Sequence, residues 1–413
     1  MKKAAAILIA IIMMLSLVAC NSNTPANTPA TNGGGNSSNT SSAPPSASNS
    51  SQPSAPSEIP QIPSGEKEVE PEGNPSSNLN SIGFFFDGVD PYSRKTYDIV
   101  WAYMRPMALF QSINDALDEL APIFNVNIIP YMANSDIDAM IQNIEIFADQ
   151  GADGFIIVID ASANMRIKEV LDATGLPYIG ILNSVRDANG SSIVPLIGMD
   201  GFPLGHAMVQ WLTDNHQKYW GTVDKSKIGL LNFTFSPNID FHERYLGNED
   251  LFKTLYPGNP IFPADGVTGG LNEQTGYDLA AAIFSANPDV EYWYVPACLE
   301  LYALGATRAA EALGIDDRVL VVAVNSDVLT TAWREGYEGC FVSCIATDAL
   351  QYAAPAMSGI VSMINGTTTM ETLWEDMRAP NDQKTYFLMD TVLLTIDTYE
   401  DFFAQVRAES GLS

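Results

Sequence analysis

The 413 residues include 49 acidic and 20 basic side chains, a formal charge of −29. A phosphate-bearing partner would be repelled, which argues against nucleic acid and against a body lying flat on an anionic membrane. Four cysteines without a C-x-x-C or Cys/His pair at metal spacing exclude a zinc module.

The chain opens Met1-Lys2-Lys3, continues as an apolar run from Ala4 to Leu17, and closes on Leu17-Val18-Ala19-Cys20. A positive start, a short apolar core and small residues leading into a cysteine predict a lipoprotein signal peptide over 1–20, too short for a standard span. The mature chain is then expected to begin at Cys20, lipidated on its thiol, which puts it outside the cytoplasm and anchored to the cell membrane. Two or more acyl chains hold a protein stably where one does not. Residues 21–80 are mostly Ser, Asn, Pro, Thr and Gly, with almost nothing large to bury. They predict a disordered tether, about 45 Å from end to end as a coil.

Residues 81–413 have globular composition, and their length suggests about two domains. Ile82-Gly83-Phe84-Phe85-Phe86 predicts a first buried strand, followed by an amphipathic stretch ending near Pro122. Val126 to Pro130 predicts a second strand, followed by a helix to about Gln150. Gly154 to Ile159 is a continuous apolar run of the kind that parallel sheets bury on both faces. A helix to Thr174 and a strand from Tyr178 to Leu182 follow. Further strands are predicted at Ile228 to Phe233, Glu291 to Val295 and Val319 to Val324. Strands alternating with helical stretches give an α/β fold with parallel sheets, whose ligands sit at the carboxyl ends of strands. Cys340 and Cys344, four apart in a strand-like stretch, would lie roughly 13 Å apart, too far to pair. Three buried free thiols are expected, with a bridge from Cys298 to Cys340 or Cys344 as the alternative.

Several local patterns coincide with this alternation. Asp149-Gln150-Gly151-Ala152-Asp153-Gly154-Phe155-Ile156-Ile157 and Gly175-Leu176-Pro177-Tyr178-Ile179 resemble the helix–glycine–strand units of the type I periplasmic sugar-binding proteins. Asn287-Pro288-Asp289-Val290 with Ala303-Leu304-Gly305-Ala306, and Glu243-Arg244-Tyr245-Leu246-Gly247, are similar to that family too. With the lipoprotein signal, the chain resembles the solute-binding lipoprotein of a sugar-type ABC importer. The resemblance implies two Rossmann-like lobes joined by a three-strand hinge, with a ligand enclosed between them. On this pattern the first lobe takes 81–199 and 345–385, and the second 200–344 and 386–413.

The family pattern places ligand contacts at Asp87 after the first strand, Asp160 after the third, Asn183 after the fourth, His242, and Asn325 after Val319 to Val324. Asp and Asn also cap helices and turns with no ligand present. Asn183 and Asn325 stand where pentose and hexose binders carry charge, which alters the donor and acceptor pattern offered to a ligand. Between Asp87 and Pro106 the chain reads as an insertion holding Tyr92, Arg94, Tyr97, Trp101, Tyr103 and Arg105. Trp101 and Arg105 would then sit at the cleft mouth, with Trp101 as either a stacking face or a packing residue. Gly266 stands where a second-lobe aromatic is expected.

No nucleophile, base or metal constellation marks an enzyme. There is no Gly-x-Ser-x-Gly elbow. His242-Glu243 starts like a zincin motif, but Leu246 occupies the second histidine position. Gly151-Ala152-Asp153-Gly154 precedes a strand, so it is not a dinucleotide fingerprint. His206 and His216 are expected on a helix, at the surface or in packing. The expected function is import of a monosaccharide or sugar-like solute, without cofactor or metal, by a monomer that delivers it to a membrane permease. A sensor on the same fold and a nucleoside-binding lipoprotein are the alternatives.

Overall fold

The computed structural model describes residues 85–410, all within one compact unit. The signal peptide, Cys20 and the whole tether lie outside them. Among the described residues no helix is long and apolar enough to cross a membrane.

The first half of the chain alternates β1 (Tyr97–Tyr103), α1 (Ala108–Phe124), β2 (Val126–Met132), α2 (Ile137–Asp149), β3 (Gly154–Ile157), α3 (Asn164–Thr174), β4 (Tyr178–Ile181) and β5 (Leu196–Gly198). The second half runs α4 (Gly201–Trp220), β6 (Ile228–Thr234), α5 (Ile239–Leu255), β7 (Ile261–Asp265), α6 (Glu273–Ala286), β8 (Tyr292–Ala297), α7 (Glu300–Leu313), β9 (Val319–Val324), α8 (Asp327–Arg334) and β10 (Phe341–Ile345). α9 (Ala349–Ile364), β11 (Tyr386–Leu388), β12 (Leu393–Leu394) and α10 (Tyr399–Ser410) complete it.

These strands form two six-stranded sheets, β11-β5-β4-β3-β1-β2 and β12-β10-β9-β8-β6-β7. All pairs are parallel except β10 with β12. β3 and β9 are buried at every residue, as continuous apolar runs covered by helices on both faces should be. The chain crosses between the sheets three times: from β5 into α4, from β10 into α9, and from β11 into β12. Tyr386 pairs with Leu196 and Leu388 with Gly198. The sheet pairing therefore keeps 386–388 in the first lobe, and the last crossing falls at 389–392 instead of at 385.

The first strand also differs from expectation. Ile82 to Phe84 lie outside the described residues; Phe85 and Phe86 lie outside any strand, and the Phe85 amide donates to Ser358 Oγ at 3.2 Å. β1 begins eleven residues later, at Tyr97. Tyr97–Tyr103 pairs with both β2 and β3 and is the first strand of the described residues. The supposed insertion is therefore the approach to β1 and β1 itself. Tyr92 and Arg94 pack at the opposite end of the sheet from the strand carboxyl ends, bonding the carbonyls of Pro122 and Phe124.

Cys298, Cys340 and Cys344 are buried free thiols. Burial pushes the Cys298 and Cys340 thiols up to about 12, which leaves them protonated and unreactive at neutral pH.

Candidate functional site

The carboxyl ends of the two sheets face a common cavity of about 630 Å³. The first lobe lines it with the segments after β1, β2, β3 and β4. The second lines it with those after β6, β7, β8 and β9. This is where doubly wound sheets bind ligands, because the helix N-termini and the turning backbone leave polar groups exposed there.

Asn325 ends β9 at φ 81°, and Leu182 ends β4 at φ 72°. Asn is among the few side chains that tolerate this left-handed region, whereas Leu there is strained. Both residues line the cavity. The Asn325 amide makes no side-chain hydrogen bond among the described residues, so its donor and acceptor remain unspent. Asn183 donates from Nδ2 to the Ile159 carbonyl at 2.9 Å and accepts from Asn238 Nδ2 at 3.0 Å. Arg105 reaches Asp160 at 3.5 Å, while Asp160 Oδ1 accepts from the Ser162 amide and hydroxyl.

Arg244 is buried and lines the cavity from α5. Its Nη1 donates to the Cys298 carbonyl at 2.6 Å, its guanidinium lies 4.9 Å from the Phe241 ring centre, and its Nε is buried without a partner. Close approach of α4 and α5 positions it. A Cβ on Gly205 would run into the Arg244 carbonyl, and one on Gly247 into the Phe202 carbonyl. Asn248 and Asn232, both fully buried, hydrogen-bond each other and tie α5 to β6.

Glu300, 6% exposed, accepts on Oε1 from the Val328 and Leu329 amides and so caps α8. Burial first, and the neighbouring Asp327 second, push its carboxyl up to about 8. Asp327 itself is raised to about 6 by burial, with Asp348 adding to it. Burial thus favours the protonated form of Glu300 in the cavity wall.

Polar contacts join the lobes beside the cavity. Asp240 accepts from the Ser184 amide at 2.8 Å and its hydroxyl at 2.6 Å. Arg186 forms a two-pronged ion pair with Glu243 at 2.7 and 3.2 Å. Three near-consecutive residues after β4 thus engage the N-cap and first turns of α5.

Of the seven candidate ligand residues, Arg105, Asp160, Asn183 and Asn325 line the cavity. Asp87, Trp101 and His242 do not. Asp87 accepts from Asn365 Nδ2 at 2.7 Å and Thr367 Oγ1, near Tyr97, at the amino end of β1. Trp101 is fully buried in the middle of β1, edge-on to Phe110 and beside Tyr103, so it packs the core. His242 stacks on Tyr245. One helical step of about 100° separates it from Phe241 and two from Arg244, the residues that do line the cavity. Reading the sequence missed Arg244, Asp240, Asn238 and Glu300. The Arg-x-x-Gly pattern at Arg244 was the available signal. Gly266 lies against Tyr302, and Phe235 and Phe241 are the aromatics that the second lobe brings to the cavity.

Residues 102–368 match the family model described as periplasmic binding protein domain. An L-arabinose-binding periplasmic protein of an ABC transporter from Azospirillum brasilense is 24% identical over 219 residues. The match spans 51% of this chain and 63% of that relative, less than two thirds of its length. The fold is similar to a periplasmic solute-binding protein of an ABC transporter from Actinobacillus succinogenes with bound D-allose: TM-score 0.58, 17% identity, 74% of this chain and 100% of that one. A 5-methylthioribose transporter solute-binding protein from Thermotoga lettingae, in complex with 5-methylthioribose, is also similar: TM-score 0.58, 18% identity, covering 76% and 89%.

Proposed function

This chain belongs to the periplasmic binding protein family, and on that footing we propose that it is the solute-binding lipoprotein of an ABC importer, taking a monosaccharide or polyol-like solute outside the cytoplasm. The observation that carries this reading is the cavity between the sheets, which presents unspent polar groups, the Asn325 amide and, among the described residues, the unpartnered Arg244 Nε, from a wall that mixes polar side chains with apolar ones such as Met107, Phe235 and Phe241. A site of that kind meets hydroxyls with a few fixed donors and acceptors while apolar surface covers the ring faces. The relatives' named ligands, L-arabinose, D-allose and 5-methylthioribose, are of this class. Cys20 would carry the lipid that keeps the body at the membrane, and a permease would receive the closed form, which ligand binding favours.

A thermal-shift panel of D-allose, L-arabinose, D-ribose, D-glucose, myo-inositol and 5-methylthioribose, with amino acids and nucleosides alongside, tests the reading. A ligand at 100 times its dissociation constant adds about 2.7 kcal/mol, a rise of a few degrees. The reading expects that rise with a sugar or polyol. A rise only with amino acids or nucleosides contradicts it.

A further inference from the structure

The cavity changes chemistry along its length. The three crossings between lobes run beside β5, β11, β10 and β12, so that edge of each sheet is the hinge and the β2 and β7 edges form the mouth. Near the hinge, the segments after β4 and β9 supply Asn183, Asn325 and Asp327; Asp160 and Glu300 follow in the middle. The α5 start leans to the same side, since Asn238 bonds Asn183. At the mouth the wall becomes Met107, Ile137, Phe235, Val267 and Leu271, with Arg105 and Ser135 as polar members of the same segments. Val267 is 51% exposed, and the other four apolar residues are only partly buried. Met107, Ile137 and Leu271 pack one side against the cores of the lobes and leave the rest of their surface to the cavity.

In this structure, with the cavity partly open, there is room beyond a bare sugar. Even if each of a hexose's twelve heavy atoms took the about 30 Å³ of a liquid water molecule, it would fill roughly 360 Å³, against about 630 Å³ in the cavity.

We propose that the apolar mouth is a second subsite, and that the ligand is an alkyl- or aryl-substituted sugar or polyol whose hydroxylated head lies at the hinge end and whose apolar substituent lies against Met107, Ile137, Phe235, Val267 and Leu271. This rests on the sugar-binding reading above. Each methylene moved from water onto such a wall multiplies affinity up to about fourfold. A bare sugar leaves the wall wet and forgoes that gain. The competing account is that these side chains only meet one another when the lobes close, in which case a substituent would obstruct closure.

The test titrates the mature chain with D-ribose, L-arabinose, D-allose, D-glucose and myo-inositol, and with the mono-O-butyl ethers of each at every hydroxyl. At least one ether is expected to bind tenfold or more tighter than its parent, with a more negative heat-capacity change. Ile137→Ser combined with Val267→Ser, the latter at an exposed position, should cut that ratio to threefold or less. If parents bind and no ether binds tighter, the subsite is overturned while the sugar reading stands. A tighter ether whose advantage survives the double substitution also overturns it. If neither parents nor ethers bind, the sugar reading falls and takes the subsite with it.

Discussion

Asn325 holds two properties at one position: a backbone at φ 81° and an amide without a partner among the described residues. Replacing it by Ala would confound them, because Ala strains that backbone by about 1–2 kcal/mol. Asn325→Gly removes the amide and keeps the conformation. Leaving a ligand group unsatisfied costs roughly 1–3 kcal/mol, so the affinity for whichever sugar gives the largest thermal shift should fall about 5- to 150-fold, with the unliganded melting temperature nearly unchanged. Unaltered affinity by calorimetry would remove Asn325 from the site. Glu300 makes a prediction about pH. Its carboxyl sits near 8 in the folded chain against an ordinary 4.5. Between those values the unfolded chain releases the proton and the folded chain keeps it. The contribution is therefore full below about pH 4.5 and is lost as pH rises towards 8. Glu300→Gln retains the acceptor that caps α8 and cannot ionise. Melting curves of the two proteins should nearly coincide at pH 5 and separate by several degrees in favour of the variant at pH 9. A gap independent of pH would mean that Glu300 is ionised throughout.

Elements were legible where a buried run had no competitor. Val319 to Val324 is β9, residue for residue, and the runs at Gly154 and Ile228 fall within a residue or two of β3 and β6. β1 was misplaced because Ile82 to Phe86 is as apolar as Tyr97 to Tyr103, and only pairing with β2 and β3 distinguishes them. β5, β11 and β12 hold three, three and two residues, too few to carry a period. The site divided the same way. Strand-end positions such as Asn183 and Asn325 were readable, but the rotation of α5 that turns Arg244 inward and His242 aside depends on glycine-mediated contact with α4. That contact also sets the latch between lobes, for which a charge swap is diagnostic. Arg186→Glu places two carboxylates where a two-pronged pair stood, and sugar affinity should fall about tenfold. Adding Glu243→Arg should restore most of it, as expected for residues coupled through direct contact. Losses that simply add in the double variant would show that the pair does not hold the lobes together.

At the scale of the whole molecule, the described body is two lobes joined by three chain crossings along one edge of the sheets. The chain's formal charge of −29 keeps it off anionic surfaces, so retention at a membrane falls to the proposed lipid on Cys20. Cys20→Ala should release the protein into the soluble fraction with its ligand affinity intact. A variant that stays with membranes after salt washing would mean another anchor.

The central claim is one reversible sugar site per chain. Calorimetric titration of the mature protein with the panel sugar giving the largest thermal shift, followed by mass spectrometry of the recovered sugar, addresses it directly. A stoichiometry of one with the sugar returned unchanged is the predicted result. No saturable heat with any monosaccharide or polyol, or a chemically altered sugar on recovery, would contradict it.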